Sequence, residues 1–435
     1  MSPHLISIVV LIGVFLLGTV RSVNLGVLAL VGAFAVGSWV FGADTKEVLA
    51  GFPADLFVIL VGVTYLFAIA KRNGTVDWLV QGSVRAVRGR VAALPWVMFV
   101  LSGVLVALGA LSPAAVAIIA PIGMAFAARY RINPLLMGLM VIHGSAAGNF
   151  SPLGVLGVIT NGIVDRNDLP GSPIGIFVAN LTFNVALGAV IYLGFGGLQL
   201  LRSGARCSDD EHESDTPADG GGGAGVALKS RVAVITPTQR RERIVTVIGL
   251  AVLAIGALVF DLDIGLTAMT VVGVLAVMSP QTAKDAVADI SWGVVLLICG
   301  IVTYVGFLQS EGTVDYIGHS IASVSSPVLA ALVLLYVGSV VSAFASTTGI
   351  LGALIPLAVP LLAAGELGAV ALVAALSISA SVVDSSPFST NGALVVANAP
   401  HGREAAVYRG LMAWGFSLVV LTPLVTWAIF VLPGW

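Results

Sequence analysis

Long apolar runs separated by short polar breaks set the pattern of this chain from end to end. Runs of about 17 to 25 residues can cross a hydrocarbon core, and on that criterion helices are expected over 4–20, 23–42, 54–70, 134–164 and 173–201. The second half yields 243–260, 264–280, 291–309, 367–399 and 405–432. Two further stretches, 91–128 and 327–364, are too long for one crossing and break midway, at Ser112-Pro113 and at Ser346-Thr347-Thr348. Each is either two crossings or one re-entrant hairpin. Segment 202–242 differs, with an acidic run from Asp209 to Glu213, glycines at 220–223 and basic ends, and it reads as a flexible linker.

The pattern also repeats. Gly62-Val63-Thr64-Tyr65, running to Gly74-Thr75-Val76-Asp77-Trp78, returns as Gly300-Ile301-Val302-Thr303-Tyr304, running to Gly312-Thr313-Val314-Asp315-Tyr316. Ser151-Pro152 and its apolar, Gly-rich continuation recur as Ser386-Pro387 and the run to Ala399. In so apolar a chain this points to a transporter built from two related halves. Asp77 and Asp315 follow helix ends and read as caps or interface residues.

Charge selects between the two readings of the long stretches. If both are hairpins, the crossings alternate so that every Lys and Arg except Lys46 and Arg166 falls on one side, as the positive-inside rule requires of the cytoplasmic face. Hairpin 91–128 then opens to the cytoplasm. Hairpin 327–364, flanked by Gln309, Glu311, Asp315 and Glu366, opens to the outside. Both termini lie outside and 202–242 is cytoplasmic. Five crossings per half is an odd number, so the halves must be inverted. The expected fold is an all-α polytopic membrane protein of two inverted-topology repeats, 1–201 and 243–435, each with five transmembrane helices and one re-entrant hairpin. The run from His4 to Val20 lacks a basic leader and a small-residue cleavage pattern, so it is expected to be a retained helix.

Composition narrows the class. With 58% apolar and 10% charged residues, the chain exceeds what a soluble core can hide, so a polytopic integral membrane protein is expected; its expected location is the plasma membrane, the inner membrane of a bacterium. Cys207 and Cys299 stand far apart and suggest neither a disulfide framework nor a metal site. Motifs such as His-Glu-x-x-His or Gly-x-Ser-x-Gly do not occur, which argues against an enzyme. No nucleic-acid partner and no organic cofactor are expected.

Chemistry should sit where polar backbone is tolerated at membrane depth, at the hairpin tips and at breaks in the helices over 134–164 and 367–399. The tips are Leu111-Ser112-Pro113-Ala114 and Ser346-Thr347-Thr348-Gly349; the breaks run from Gly144 to Gly154 and from Asp384 to Gly392. Proline in each break removes a helical donor and frees carbonyls. Freed carbonyls and hydroxyls suit a hard cation such as sodium, whereas half-helix amino ends favour a carboxylate. Candidate cation ligands are Asp384, Ser346, Ser386, Gly148 and Asn149; candidate substrate contacts are Ser112, Asn149, Ser151, Thr347, Thr348, Ser389 and Asn391. These elements contain no Lys or Arg, so an anion would be held by N–H groups, hydroxyls, amides and co-bound cations. Asp384 aligns with Asn149 through the Ser-Pro pairs, and it is either a cation or proton carrier or a cap on a broken half-helix. His143 either packs or contacts substrate.

These four polar elements resemble the ion transporter superfamily, in particular the divalent anion:sodium symporters and the malonate/dicarboxylate carriers of MatC type. The Ser-Pro-Leu-Gly-Val-Leu-Gly break at 151–157 and the Ser-Ser-Pro-Phe-Ser-Thr-Asn-Gly break at 385–392 look most like the latter. The symporters carry Ser-Asn-Thr at each tip. Ser346-Thr347-Thr348 matches apart from its middle residue, whereas Leu111-Ser112-Pro113 departs from the pattern. The symporters' Thr-Pro-Pro-Asn break is echoed only by Ser389-Thr390-Asn391. The resemblance implies a homodimeric elevator transporter that imports small dicarboxylates, malonate first and succinate-like acids second, with sodium as co-transported ion. A proton-coupled carrier, or a transporter of another solute in the same superfamily, is the alternative.

Overall fold

Described in the computed structural model are residues 2–21, 23–76, 78, 91–203, 237–260, 262–313, 316, 326–344, 347–363 and 367–433, and every regular element among them is helical. The first half runs α1 (Pro3–Arg21), α2 (Leu25–Val36), the short α3 (Thr45–Leu49) and α4 (Ala54–Arg72). It continues with α5 (Leu94–Ala107), α6 (Ser112–Arg129), α7 (Pro134–Gly148), α8 (Val155–Arg166), α9 (Pro173–Gly194) and α10 (Gly197–Ser203). The second half follows the same order: α11 (Pro237–Val259), α12 (Ile264–Met278), short α13 (Pro280–Ala286) and α14 (Trp292–Ser310). Then come α15 (Pro327–Phe344), α16 (Thr347–Ala363), α17 (Ala369–Val382), α18 (Thr390–Ala397) and α19 (Glu404–Thr426). Six helices or helix pairs are long and apolar enough to span a membrane by length and composition, and shorter apolar helices accompany them.

The helices fall where the apolar runs are, and the interruptions fall at the polar breaks. Stretch 91–128 divides into α5 and α6 across Leu108–Leu111, and 134–164 divides into α7 and α8. The linker is shorter than its composition suggests. α11 already begins at Pro237, so Arg240 to Arg243 are helical; a proline suits a first helical turn, where its missing N–H costs nothing. The rest of the linker, 204–236, lies outside the described residues, as do Asp77 and Asp315.

Helix contacts come in matched pairs across the halves. α5 packs on α7 as α15 packs on α17, and α7 packs on α9 as α17 packs on α19. Between halves, α4 lies on α12 as α14 lies on α2, and α6 meets α18 as α16 meets α8. The repeated glycine motif serves these crossings. A Cβ on Gly300 would sit 2.0 Å from Gly26 O, and one on Gly26 would sit 1.9 Å from Leu296 O, so α2 and α14 touch backbone to backbone. Small residues allow this approach where hydrocarbon solvent supplies no hydrophobic drive between helices. Outward faces are apolar instead, as at Val31, Val178, Val190 and Val252.

The glycine contact predicts an asymmetry between substitutions. Gly300→Ala forces α2 and α14 apart and should cost about 1–3 kcal/mol, read as a lower thermal midpoint of the purified protein in detergent. Gly273→Ala, with no atom within 4 Å of its new Cβ, should leave the midpoint unchanged or raise it.

Candidate functional site

A cavity of about 250 Å³ forms where the α5–α6 turn, the α7–α8 interruption, the start of α16 and the α17–α18 interruption meet. Its wall includes Leu111, Ser112 and Pro113, then Asn149, Val155 and Leu156, then Thr347 and Thr348, and finally Asp384, Phe388, Ser389 and Thr390. Residues of α6, α8, α16 and α18 on this wall all belong to the first turn or cap of their helix. Four helix starts therefore border one small space. Each presents N–H groups without an intrahelical acceptor and about half a positive charge. The α6 and α8 starts have no side-chain cap. Among the described lining residues there is no Lys, Arg or His, and Asp384 is the one carboxylate.

Local sequence builds both interruptions in the same way. Pro152 and Pro387 deny the helix a donor, and Ser151 and Ser386 turn back onto the preceding helix pair. Ser151 Oγ donates to Ala107 O at 2.9 Å, the last residue of α5, and Ser386 Oγ donates to Ala343 O at 3.2 Å, near the end of α15. Gly157 and Gly392 lie against these turns, where added Cβ atoms would fall 2.0 Å from Ser151 O and 1.9 Å from Ser386 O. The second interruption carries a 3-10 turn over Val383–Ser385, and Ser389 accepts from Gly392 N at 3.1 Å to cap α18.

The wall thus gathers Ser112, Asn149, Thr347, Thr348, Ser389 and Asp384 from the candidate set. Among the described residues no side-chain hydrogen bond is formed by Asn149 or Thr348, and both face the cavity. Ser112 Oγ and Ser145 Oγ are 2.8 Å apart, and Thr347 Oγ1 and Ser342 Oγ likewise 2.8 Å. Asn391 is buried just behind the wall. Its Nδ2 donates to Ser112 Oγ and to Asp384 Oδ2, both at 2.9 Å, so it ties the first half to the second. Its Oδ1 is buried without a donor. Ser151 and Ser386 instead spend their hydroxyls on helix carbonyls, and neither is on the wall. Gly148 is engaged too: its carbonyl accepts from Ser151 N at 3.2 Å and its Cα faces Gly103 O of α5. Ser346 lies outside the described residues.

Several contributors escape a sequence reading. Thr390 lines the cavity from the first turn of α18, and Val155 and Leu156 contribute through backbone position. Behind the first interruption, a polar chain that is buried except at its half-buried Trp414 end links three helices. Trp414 Nε1 donates to His143 Nε2 at 2.9 Å, which leaves the other ring nitrogen, Nδ1, to donate to Asn184 Oδ1 at 3.2 Å. Asn184 Nδ2 donates to Asn180 O and Oδ1, each at 3.0 Å. Asn180 Nδ2 donates to Ala146 O at 2.8 Å and Ala147 O at 3.2 Å, the carbonyls at the end of α7. His143 is off the cavity wall and acts by positioning the interruption. Asn180 and Asn184, four residues apart in an apolar helix, were the signal for it.

Residues 1–149 match the family model of the dicarboxylate carrier protein MatC N-terminus. No curated protein sequence matches the chain. Among solved structures, the fold is similar to that of the YdaH transporter of Alcanivorax borkumensis, at 14% identity and a TM-score of 0.60, with 98% of each chain covered. The family match and the shared fold support an integral membrane transporter.

The polar chain predicts that Asn180→Leu, of similar volume, destabilises the protein by about 1–3 kcal/mol by leaving two buried carbonyls without that donor. The effect should be local. Amide exchange in the segment 149–157 should rise ahead of that in α4 or α14; uniform exchange would remove Asn180 as the positioning group.

Proposed function

We propose that this protein is a secondary active transporter that carries small dicarboxylates, malonate first and succinate-like C4 acids second, into the cytoplasm with sodium. The observation that carries this reading is the meeting of four helix starts and one carboxylate, Asp384, on a single small polar cavity. A dicarboxylate brings two negative charges. N–H groups at helix starts suit its carboxylates, and the Asn149 amide and Thr348 hydroxyl can add hydrogen bonds. No described residue of the wall is basic, so a bound cation does that work. The Asp384 carboxylate and the Thr390 hydroxyl, both on the wall, are the oxygen ligands such a cation would use, with the orphaned Oδ1 of Asn391 buried behind them. The description of the family that matches residues 1–149, a dicarboxylate carrier, supports the same substrate class.

The matched helix pairings support two related halves, 1–201 and 243–435, which this reading takes as inverted because each has an odd number of crossings. In this reading α5–α6 and α15–α16 are re-entrant hairpins that open to the cytoplasm and the outside respectively. Both termini lie outside, and 202–242 lies in the cytoplasm of a bacterial cell. The hairpins and interrupted helices travel as one rigid body, elevator fashion, against a scaffold containing α2, α4, α12 and α14 within a homodimer. Loading the cavity with substrate and cation together cancels most of the charge that must move past the scaffold, since an uncompensated charge is costly at membrane depth.

Uptake of labelled malonate, succinate and citrate into proteoliposomes, with sodium and proton gradients imposed separately, tests this. Sodium should drive malonate and succinate. Drive by protons alone would make Asp384 a proton carrier, and no dicarboxylate uptake under either gradient would overturn the reading. Asp384→Asn should abolish sodium stimulation. Thr348→Val should raise the KM for malonate about twofold to tenfold, the worth of one hydrogen bond.

A further inference from the structure

Away from the central cavity, beside the turn that ends α4, a cleft of about 620 Å³ opens between Trp78 and the first turns of α11. Arg240, Arg243, Ile244, Val247 and Ile248 form its α11 side. Spacings of three and four place these residues on one helix face, ordered from basic to apolar. The exposed apolar line continues along α11 through Val252, Ile255 and Val259. The facing wall is the indole of Trp78, 51% exposed.

The basic end is built and not merely present. Arg243 Nε donates to Asn73 O at 3.1 Å, and Asn73 Nδ2 donates to Thr246 Oγ1 at 2.7 Å, so the guanidinium is held against the end of α4. Glu242 is engaged elsewhere, accepting from Ser279 Oγ at 2.6 Å. Among the described residues neither Arg240 nor Arg241 enters an ion pair.

We infer that this cleft binds an anionic phospholipid of the bilayer, with its phosphate at Arg240 and Arg243 and an acyl chain along Ile244, Val247 and Ile248. Guanidinium groups pair with phosphate through two parallel hydrogen bonds. Basic clusters at the edge of a membrane helix attract anionic headgroups, and tryptophan settles at that same level. A free anion would use the arginines and leave the apolar slot idle, whereas a phospholipid matches both in the order found. The inference does not depend on what the central cavity carries.

Native mass spectrometry of the full-length protein, loaded from vesicles of phosphatidylglycerol or of phosphatidylcholine with identical chains, tests it. Wild type should retain phosphatidylglycerol at least fivefold better, and Arg240→Gln with Arg243→Gln should abolish that preference. Arg240→Gln alone, which breaks no hydrogen bond among the described residues, should weaken it at least twofold while leaving the thermal midpoint unchanged. Equal retention of the two lipids, unaltered preference in the variants, or displacement by millimolar inorganic phosphate would each overturn the proposal. A photoreactive phenylalanine analogue in place of Ile248 should cross-link to lipid; cross-linking to a peptide of this chain or of a second copy would overturn it as well.

Discussion

A backbone amide or carbonyl without a partner costs several kcal/mol in an apolar interior, and most of this architecture answers that constraint. Two helices are interrupted deep inside the protein, where water cannot compensate the freed groups. Each interruption is repaired by its neighbours. Ser151 and Ser386 reach the carbonyls that end α5 and α15, so each helix pair is tied to the break beside it. The α7 end needs more, and the Asn180 amide covers Ala146 O and Ala147 O from α9. The starts of α6 and α8 lack a side-chain cap and border the cavity. N–H groups at such starts stand where an anion can use them.

The two halves are alike in packing and unlike in chemistry. Helix pairings match across the molecule, because close glycine contacts and serine-to-carbonyl bonds recur at corresponding places. The polar groups do not match. Asn149 faces the cavity from the first half where Asp384 does so from the second, and the buried Asn391 beside Asp384 corresponds to Leu156, an apolar residue. The chain of Trp414, His143, Asn184 and Asn180 supports only the first interruption. A shared frame therefore holds a site whose negative charge and orphaned acceptor both come from the second half.

Asn391 joins these two levels. Its amide donates to Ser112 at the start of α6 and to Asp384 in the 3-10 turn, so the carboxylate is oriented by a residue that also grips the other half. Relative movement of α6 and α18 would disturb the Asp384 geometry directly. The site and the contact between halves are one structure here.

Much of this could be read along the chain. Apolar run lengths locate the helices, because spanning a hydrocarbon layer demands a fixed length of unbroken hydrogen bonding. Proline with clustered Ser, Thr and Asn locates the interruptions, because only such sequences can break a buried helix and repair it. The glycine repeat was visible as well, though its role in packing α2 on α14 and α4 on α12 was not. What only the tertiary structure decided is which way each polar side chain turns. Ser112 and Ser151 are chemically alike in sequence, yet the first lines the cavity and the second is consumed by a helix carbonyl; Ser389 lines the cavity and Ser386 does not, though both give their hydroxyls to carbonyls. In sequence His143 reads equally as a packing residue or a substrate contact, and its partners Asn184 and Trp414, from helices far along the chain, decide for the former. Local sequence sets where a helix must break; the donors and acceptors that close the break, and those left over to bind a ligand, depend on neighbours that only folding brings together.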